Sequence, residues 1–79
     1  MKLEEFTALS KLDQAEYTWT GKLIGQRNEG FAKIMLYTLP QFYVEVFYDT
    51  DQNGITAIEP FSNLARLTPY FTRETFQKK

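Results

Sequence analysis

Residues 42–49 read FYVEVFYD. Aromatic and β-branched side chains fill this stretch, and they are the residues that suit a pleated, packed surface. Alternation along a strand divides it into two faces. Phe42, Val44, Val46 and Tyr48 share one face and are uniformly apolar or amphipathic, so they form the expected core side. Tyr43, Glu45, Phe47 and Asp49 share the other, where two rings stand among two acids. That second face resembles neither a core nor an ordinary solvent face, and both the fold and the function turn on how it is covered.

The flanking segments place this strand in a sheet. Pro40-Gln41 breaks it from residues 31–39, FAKIMLYTL, a longer strand apolar on both sides. There Ala32, Ile34 and Leu36 read as buried, whereas Phe31, Lys33, Met35 and Tyr37 repeat the mixed character of Tyr43 and its neighbours. Residues 22–27, KLIGQR, read as a short strand, followed by a turn at Asn28–Gly30 in which Gly30 takes positive φ. Downstream, TDQNG turns the chain and residues 55–61, ITAIEPF, make a fourth strand. Pro60 has no N–H to donate, which puts the end of that strand at a sheet edge. Such short connections imply antiparallel pairing in sequence order. The position after Asn53 predicts a left-handed Gly54 in the last turn.

The N-terminal segment has a different period. Leu3, Phe6 and Leu9 recur every three residues, and Ser10 followed by Asp13 resembles a capping box. Leu12, Ala15 and Trp19 continue at helical spacing. This predicts helices over 3–9 and 11–18, or one helix over 3–19 kinked near Ser10, with Trp19 anchoring the segment on the sheet. At the other end, residues 62–67, SNLARL, read as a loop or single turn. Thr68-Pro69 reads as an N-cap with proline at N1, opening a short helix over 69–76. The expected architecture is α+β: an N-terminal helical hairpin or kinked helix, a four-stranded antiparallel meander with strands at about 22–27, 31–39, 42–49 and 55–61, and a short C-terminal helix. Residues 1–79 make a single domain, with the helices packed on one face of the sheet.

With LYTLPQ before it, ITAIEPF after it and LTPYF near the end, FYVEVFYD gives the chain a pattern that resembles short Bacteroidota proteins. Those also open with a helical segment ending near a Trp. The resemblance spans most of the chain. It implies the same bacterial setting and domain boundaries. No activity is assigned to that group, so it implies no site residues.

Composition narrows the chemistry. The 79 residues contain neither cysteine nor histidine, which removes disulfides, thiolate chemistry, the usual zinc ligands and the commonest general base at neutral pH. The absence of cysteine fits a reducing compartment, and the expected location is cytoplasmic. The N-terminus does not read as a signal peptide, and no apolar run is long enough for a bilayer. Nine basic against ten acidic residues leave no electrostatic footprint for nucleic acid or an anionic membrane. No phosphate loop is present and no cofactor is expected.

Two acidic constellations remain. Asp49, Asp51 and Asn53, followed by Gly54, match the opening of an EF-hand loop, but position twelve is Pro60 and the flanks read as strands. A hairpin turn selects the same residues, so these three are weak metal candidates and the expectation is a turn. Glu45 and Asp49 lie roughly 13 Å apart along one strand, too far for a glycosidase pair. Glu59 approaches Glu45 if the last hairpin pairs as expected. Such a pair would raise one pKa, unless Glu45 faces solvent or meets an arginine such as Arg27.

The aromatic residues, 16% of the chain, exceed what so small a core readily encloses. If the two mixed sets share one face, Phe31, Met35, Tyr37, Tyr43 and Phe47, together with Glu45, form a binding surface for protein, in the first place a second copy of the chain. The competing arrangement folds LTPYFTRETF over these rings as a second small core. The expected function is a non-enzymatic protein-interaction domain that self-associates. The alternative is an intracellular binder of a small apolar ligand held between sheet and helices.

Overall fold

The computed structural model describes residues 1–70. Its order is α1 (Leu3–Thr7), α2 (Lys11–Trp19), β1 (Lys22–Glu29), β2 (Ala32–Thr38), β3 (Tyr43–Asp49), β4 (Gly54–Phe61) and a 3-10 turn at Leu64–Leu67. The four strands form one antiparallel meander, β1-β2-β3-β4. The chain is α+β, as its periodicities predict. Residues 68–70 are helical, and most of the helix expected over 69–76 lies outside the described residues. Thr68 is itself helical (φ −51°, ψ −44°) and is not the extended N-cap expected before Pro69.

The helical segment is a hairpin of two helices. Ser10 is the extended N-cap of α2, its hydroxyl accepting the Asp13 N–H at 3.2 Å. This break lets α1 fold back, and the Gln14 amide donates to the Phe6 carbonyl at 3.1 Å. Phe6 is fully buried and meets Phe42 edge-on at 5.3 Å. It sits in a cluster with Leu39, Phe42, Val44 and Val46, flanked by Leu3, Leu9, Tyr17, Met35, Tyr37, Ile55 and Ile58. The anchor of the helices is therefore Phe6. Trp19 stays 46% exposed, tilted against Tyr37 with ring centroids 5.3 Å apart. Its place in the helical stripe is real, but the stripe runs along a half-open flank of α2, where Leu12 is exposed too.

Register decides which strand residues share a face. The chain reverses at Pro40-Gln41 between β2 and β3, with the Leu39 N–H donating to the Phe42 carbonyl at 2.9 Å. Pairing then runs Thr38 with Tyr43, Leu36 with Glu45, Met35 with Val46 and Ile34 with Phe47. Directly paired residues point the same way. The mixed set of β2 therefore joins the core set of β3, and the buried set of β2 joins the mixed set of β3. The expected single aromatic face divides in two. Met35 and Tyr37 lie under the helices with Val44 and Val46, while Tyr43, Glu45 and Phe47 lie on the opposite face with Ile34 and Leu36. Phe31 sits at the β1–β2 turn and is exposed.

That opposite face carries a second cluster of Leu36, Phe61 and Leu67, with Tyr43 and Tyr70 packed against it. Leu67 and Tyr70 come from the segment after β4, which begins to cover the rings as the competing arrangement expected. Both sheet edges are blunted. β1 has a bulge between Leu23 and Gly25, and β4 carries Pro60 and an irregularity opposite Phe47 and Tyr48.

Candidate functional site

The Asp49–Gly54 segment is a hairpin connection. Asp49 Oδ1 accepts the N–H groups of Asp51 (2.8 Å) and Gln52 (3.2 Å), and Asn53 Oδ1 accepts from the Tyr48 hydroxyl. The left-handed residue is Asn53 (φ 63°), not Gly54; the other positive φ belongs to Gly30 (59°). Asn tolerates this conformation because its short amide bonds locally. Among the described residues, no group of three acidic side chains is arranged to hold a metal ion.

The dominant polar feature is Glu45. It lies mid-strand on β3 and is 1% exposed. Burying a carboxylate is costly unless charge and hydrogen bonds compensate it, and three donors converge here. Arg66 Nη2, from the 3-10 turn, stands 2.6 Å from Oε1. The Tyr70 hydroxyl donates to Oε2 at 2.7 Å, and Arg27 Nη2, from β1, reaches Oε2 at 3.3 Å. Glu59 is directly opposite Glu45, as the hairpin pairing predicted. Arg66 also bridges to Glu59 at 3.3 Å, so the same cation spans the two like charges. Arg27 pairs in turn with Glu29.

Aromatic planes seat both guanidiniums. Arg66 lies over the Phe61 ring at 4.6 Å and Arg27 over Tyr70 at 5.6 Å. The Tyr70 ring lies against Gly25, where an added Cβ would come within 3.1 Å of its Cδ1. Gly25 pairs with Leu36 and Leu36 with Glu45, so Tyr70 lies along one row of the sheet with its hydroxyl on the carboxylate. Burial and the hydrogen bond to Glu45 push the Tyr70 phenol up to about 12. Burial alone lowers Arg27, but Glu29 and Tyr70 outweigh it and the net direction is upward.

Of the residues singled out in the sequence, this site gathers Glu45 and Tyr43 and places Phe47 two residues along the same face. Glu45 is no part of an open surface. Met35 and Tyr37 belong to the helix side and Phe31 to a turn. Arg66, Tyr70 and Gly25 carry no signal of their own in the sequence. The available clue was Glu45 itself, an acid inside the most strand-like stretch of the chain, which needs a cation from elsewhere.

On the helix side, Trp19, Tyr37 and Leu23 adjoin one another. Trp19 packs at a tilt on Tyr37, Leu23 pairs with Tyr37 across the strands, and Trp19 and Leu23 are each nearly half exposed. At the other end of α2, an open groove of about 300 Å³ is lined by Lys11, Leu12, Ala15, Ile55 and Ile58. No described helix is long and apolar enough to cross a membrane. No family model matches the chain, and no curated protein or solved structure matches it either.

Proposed function

We propose that this chain is a cytoplasmic, non-enzymatic interaction domain that associates with a second copy of itself. The observation that carries the reading is Trp19: the largest side chain of the protein packs at a tilt on Tyr37, which pairs with Leu23, and stays 46% exposed. Contiguous exposed apolar surface tends to mark a contact site, and Trp and Tyr are enriched at such sites. A two-fold pair covers the patch with the patch itself. The bulged edge of β1 disfavours strand addition, so the contact uses side chains. In support of a non-enzymatic role, the buried acid that most resembles a catalytic group already has three donors on its two oxygens.

Light scattering coupled to size exclusion, over a concentration series, tests this. The wild type dimerises, Leu23→Glu gives a folded monomer, and Phe47→Glu retains the dimer. A wild type monomeric throughout sinks the reading. A dimer dissolved by Phe47→Glu and not by Leu23→Glu moves the contact to the opposite face.

A second reading has its own observation. The groove between α2 and β4 lies between sheet and helices, and four of its five lining residues are apolar. It suits a small apolar ligand, although it is open along one side where such sites usually enclose the ligand. Titration with an environment-sensitive apolar dye, on wild type and Ala15→Gln, tests it. Equal dye response in the two proteins rules it out.

A further inference from the structure

The segment after β4 is held on the sheet in an unusual way. Of its 3-10 turn only Leu67 is buried, Leu64 is 64% exposed, and the Arg66 side chain is 40% exposed. The Tyr70 ring packs against the same cluster as Leu67, and the polar part of the described anchorage converges on Glu45. Buried ion pairs add little net stability, because desolvation offsets attraction. Among the described residues, a short segment held by Leu67, the Tyr70 ring and an ion pair belongs to the low end of local stability.

Its departure also leaves a coherent surface. Arg27 belongs to β1 and stays with the sheet, so Glu45 keeps one cation when Arg66 and Tyr70 leave. The uncovered patch has Glu45 as an acidic floor and Leu36, Phe61 and Tyr43 as apolar walls. Phe61 stacks on Tyr43 at 5.6 Å, and Gly25 leaves a flat seat for a ring. The chain's own segment shows what fits: a guanidinium for the carboxylate, an aliphatic side chain one residue later, and an aromatic hydroxyl three residues beyond that.

We propose that the sheet face centred on Glu45 is a binding site for an arginine-bearing apolar segment of a partner protein, and that residues 62–70 occupy it as an internal stand-in that the partner displaces. This site is on the opposite face from the Trp19 patch and does not rest on self-association. A partner gains affinity to the extent that the stand-in is weakened, because apparent affinity scales with the fraction of molecules whose face is open. Specificity comes from the acid, since a segment without a cation leaves Glu45 under-compensated.

The probe is a fluorescently labelled peptide of residues 62–70, SNLARLTPY, followed by anisotropy. The full chain carrying Arg66→Ala and Leu67→Ala binds it saturably, at least about tenfold more tightly than wild type does. Adding Glu45→Gln to that chain, or replacing the peptide arginine by alanine, removes binding. No binding by the folded double variant, equal binding by wild type, or indifference to the peptide arginine each overturns the proposal. So does a dimer that Arg66→Ala dissolves and Leu23→Glu leaves intact, which assigns the face to a second copy. Arg66→Ala alone, which leaves the Gly25 seat intact for the peptide tyrosine, provides a second opened chain should the double variant fail to fold. Hydrogen exchange on the unaltered protein gives an independent reading. The amides of Ala65, Arg66 and Leu67 exchange well before those of Val44 and Val46; exchange in step with them means that the segment leaves only on global unfolding, and the stand-in role fails.

Discussion

The Arg66 guanidinium lies 2.6 Å from the carboxylate of Glu45, which is 1% exposed at the centre of the sheet. The two residues are 21 positions apart, so this contact ties the end of the chain to its middle strand. Removing Arg66 leaves Arg27 and Tyr70 on Glu45, so the acid is under-compensated and not orphaned. Arg66→Ala is expected to lower stability by roughly 1–2 kcal/mol, below the top of the range for a hydrogen bond to a charged group because the 40% exposed Arg66 side chain is partly screened by solvent. A double-mutant cycle with Glu45→Ala should return a coupling on the order of 0.5–3 kcal/mol. Additive single effects, measured by urea unfolding, would show that the ion pair has no energetic content.

Tyr70 predicts a loss of stability in alkali. Its folded pKa is pushed up to about 12 by burial and by the hydrogen bond to Glu45, against about 10 for a free tyrosine. The native state thus favours the protonated phenol. Below the unfolded value both states hold the proton and its contribution is complete. As pH rises from about 10 to about 12 the unfolded chain releases the proton first, and stability falls. Denaturation at the two ends of that window should show a larger drop for wild type than for Tyr70→Phe, and one phenol should ionise late in absorbance titrations. Equal drops would mean that Tyr70 titrates as an exposed tyrosine.

Gly21 joins α2 to β1 at a point with no room for a side chain. A Cβ there would lie 2.5 Å from the Thr38 carbonyl oxygen and 2.6 Å from Leu39 Cδ2. A backbone oxygen in a paired strand cannot swing aside. Gly21→Ala should therefore destabilise by about 1–3 kcal/mol through overpacking. Gly54→Ala is the control, with open space around its Cβ and no positive φ, and should change little. A neutral Gly21→Ala would show that the α2–β1 junction yields.

The last turn shows where reading the sequence stops. Asn53-Gly54 announces a left-handed residue, but either member supplies it, and here Asn53 does, at φ 63°. Asn53→Val should cost about 1–2 kcal/mol, since a β-branched residue is strained there, while Asn53→Gly keeps the turn and loses only the Tyr48 hydrogen bond. Strand positions are legible because period-two patterns are local. Which faces coincide is not, because the turn at Pro40-Gln41, closed by the Leu39–Phe42 hydrogen bond, sets the parity of β2 against β3. Glu45 is marked by its neighbours as a misplaced acid and Arg27 is a partner the sequence suggests, but Arg66 and Tyr70 are brought to it only by the meander and the return of the chain. No spacing rule reaches across 18, 21 and 25 residues.

Trp19 provides the sharpest contrast between pattern and packing. By spacing it closes the stripe of α2, and by size it should be the main anchor, yet Phe6 is fully buried and Trp19 is 46% exposed. The reason is geometric. Phe6 points into the centre of the sheet against Phe42, whereas Trp19 reaches the outer part of β2 and rests on Tyr37, with one side of its indole in water. Phe6→Ala empties a closed core position and should cost about 3–5 kcal/mol. Trp19→Ala removes only half a burial and one aromatic contact, and should cost about 2 kcal/mol. The two variants, unfolded side by side in urea, separate the roles: a larger penalty for Trp19 returns it to the position of anchor. Fluorescence reads the same point without mutation. At low concentration the native indole should be accessible to acrylamide, and at high concentration that access should fall as a second copy covers it. Quenching that is independent of concentration would leave Trp19 a half-exposed packing residue without a partner.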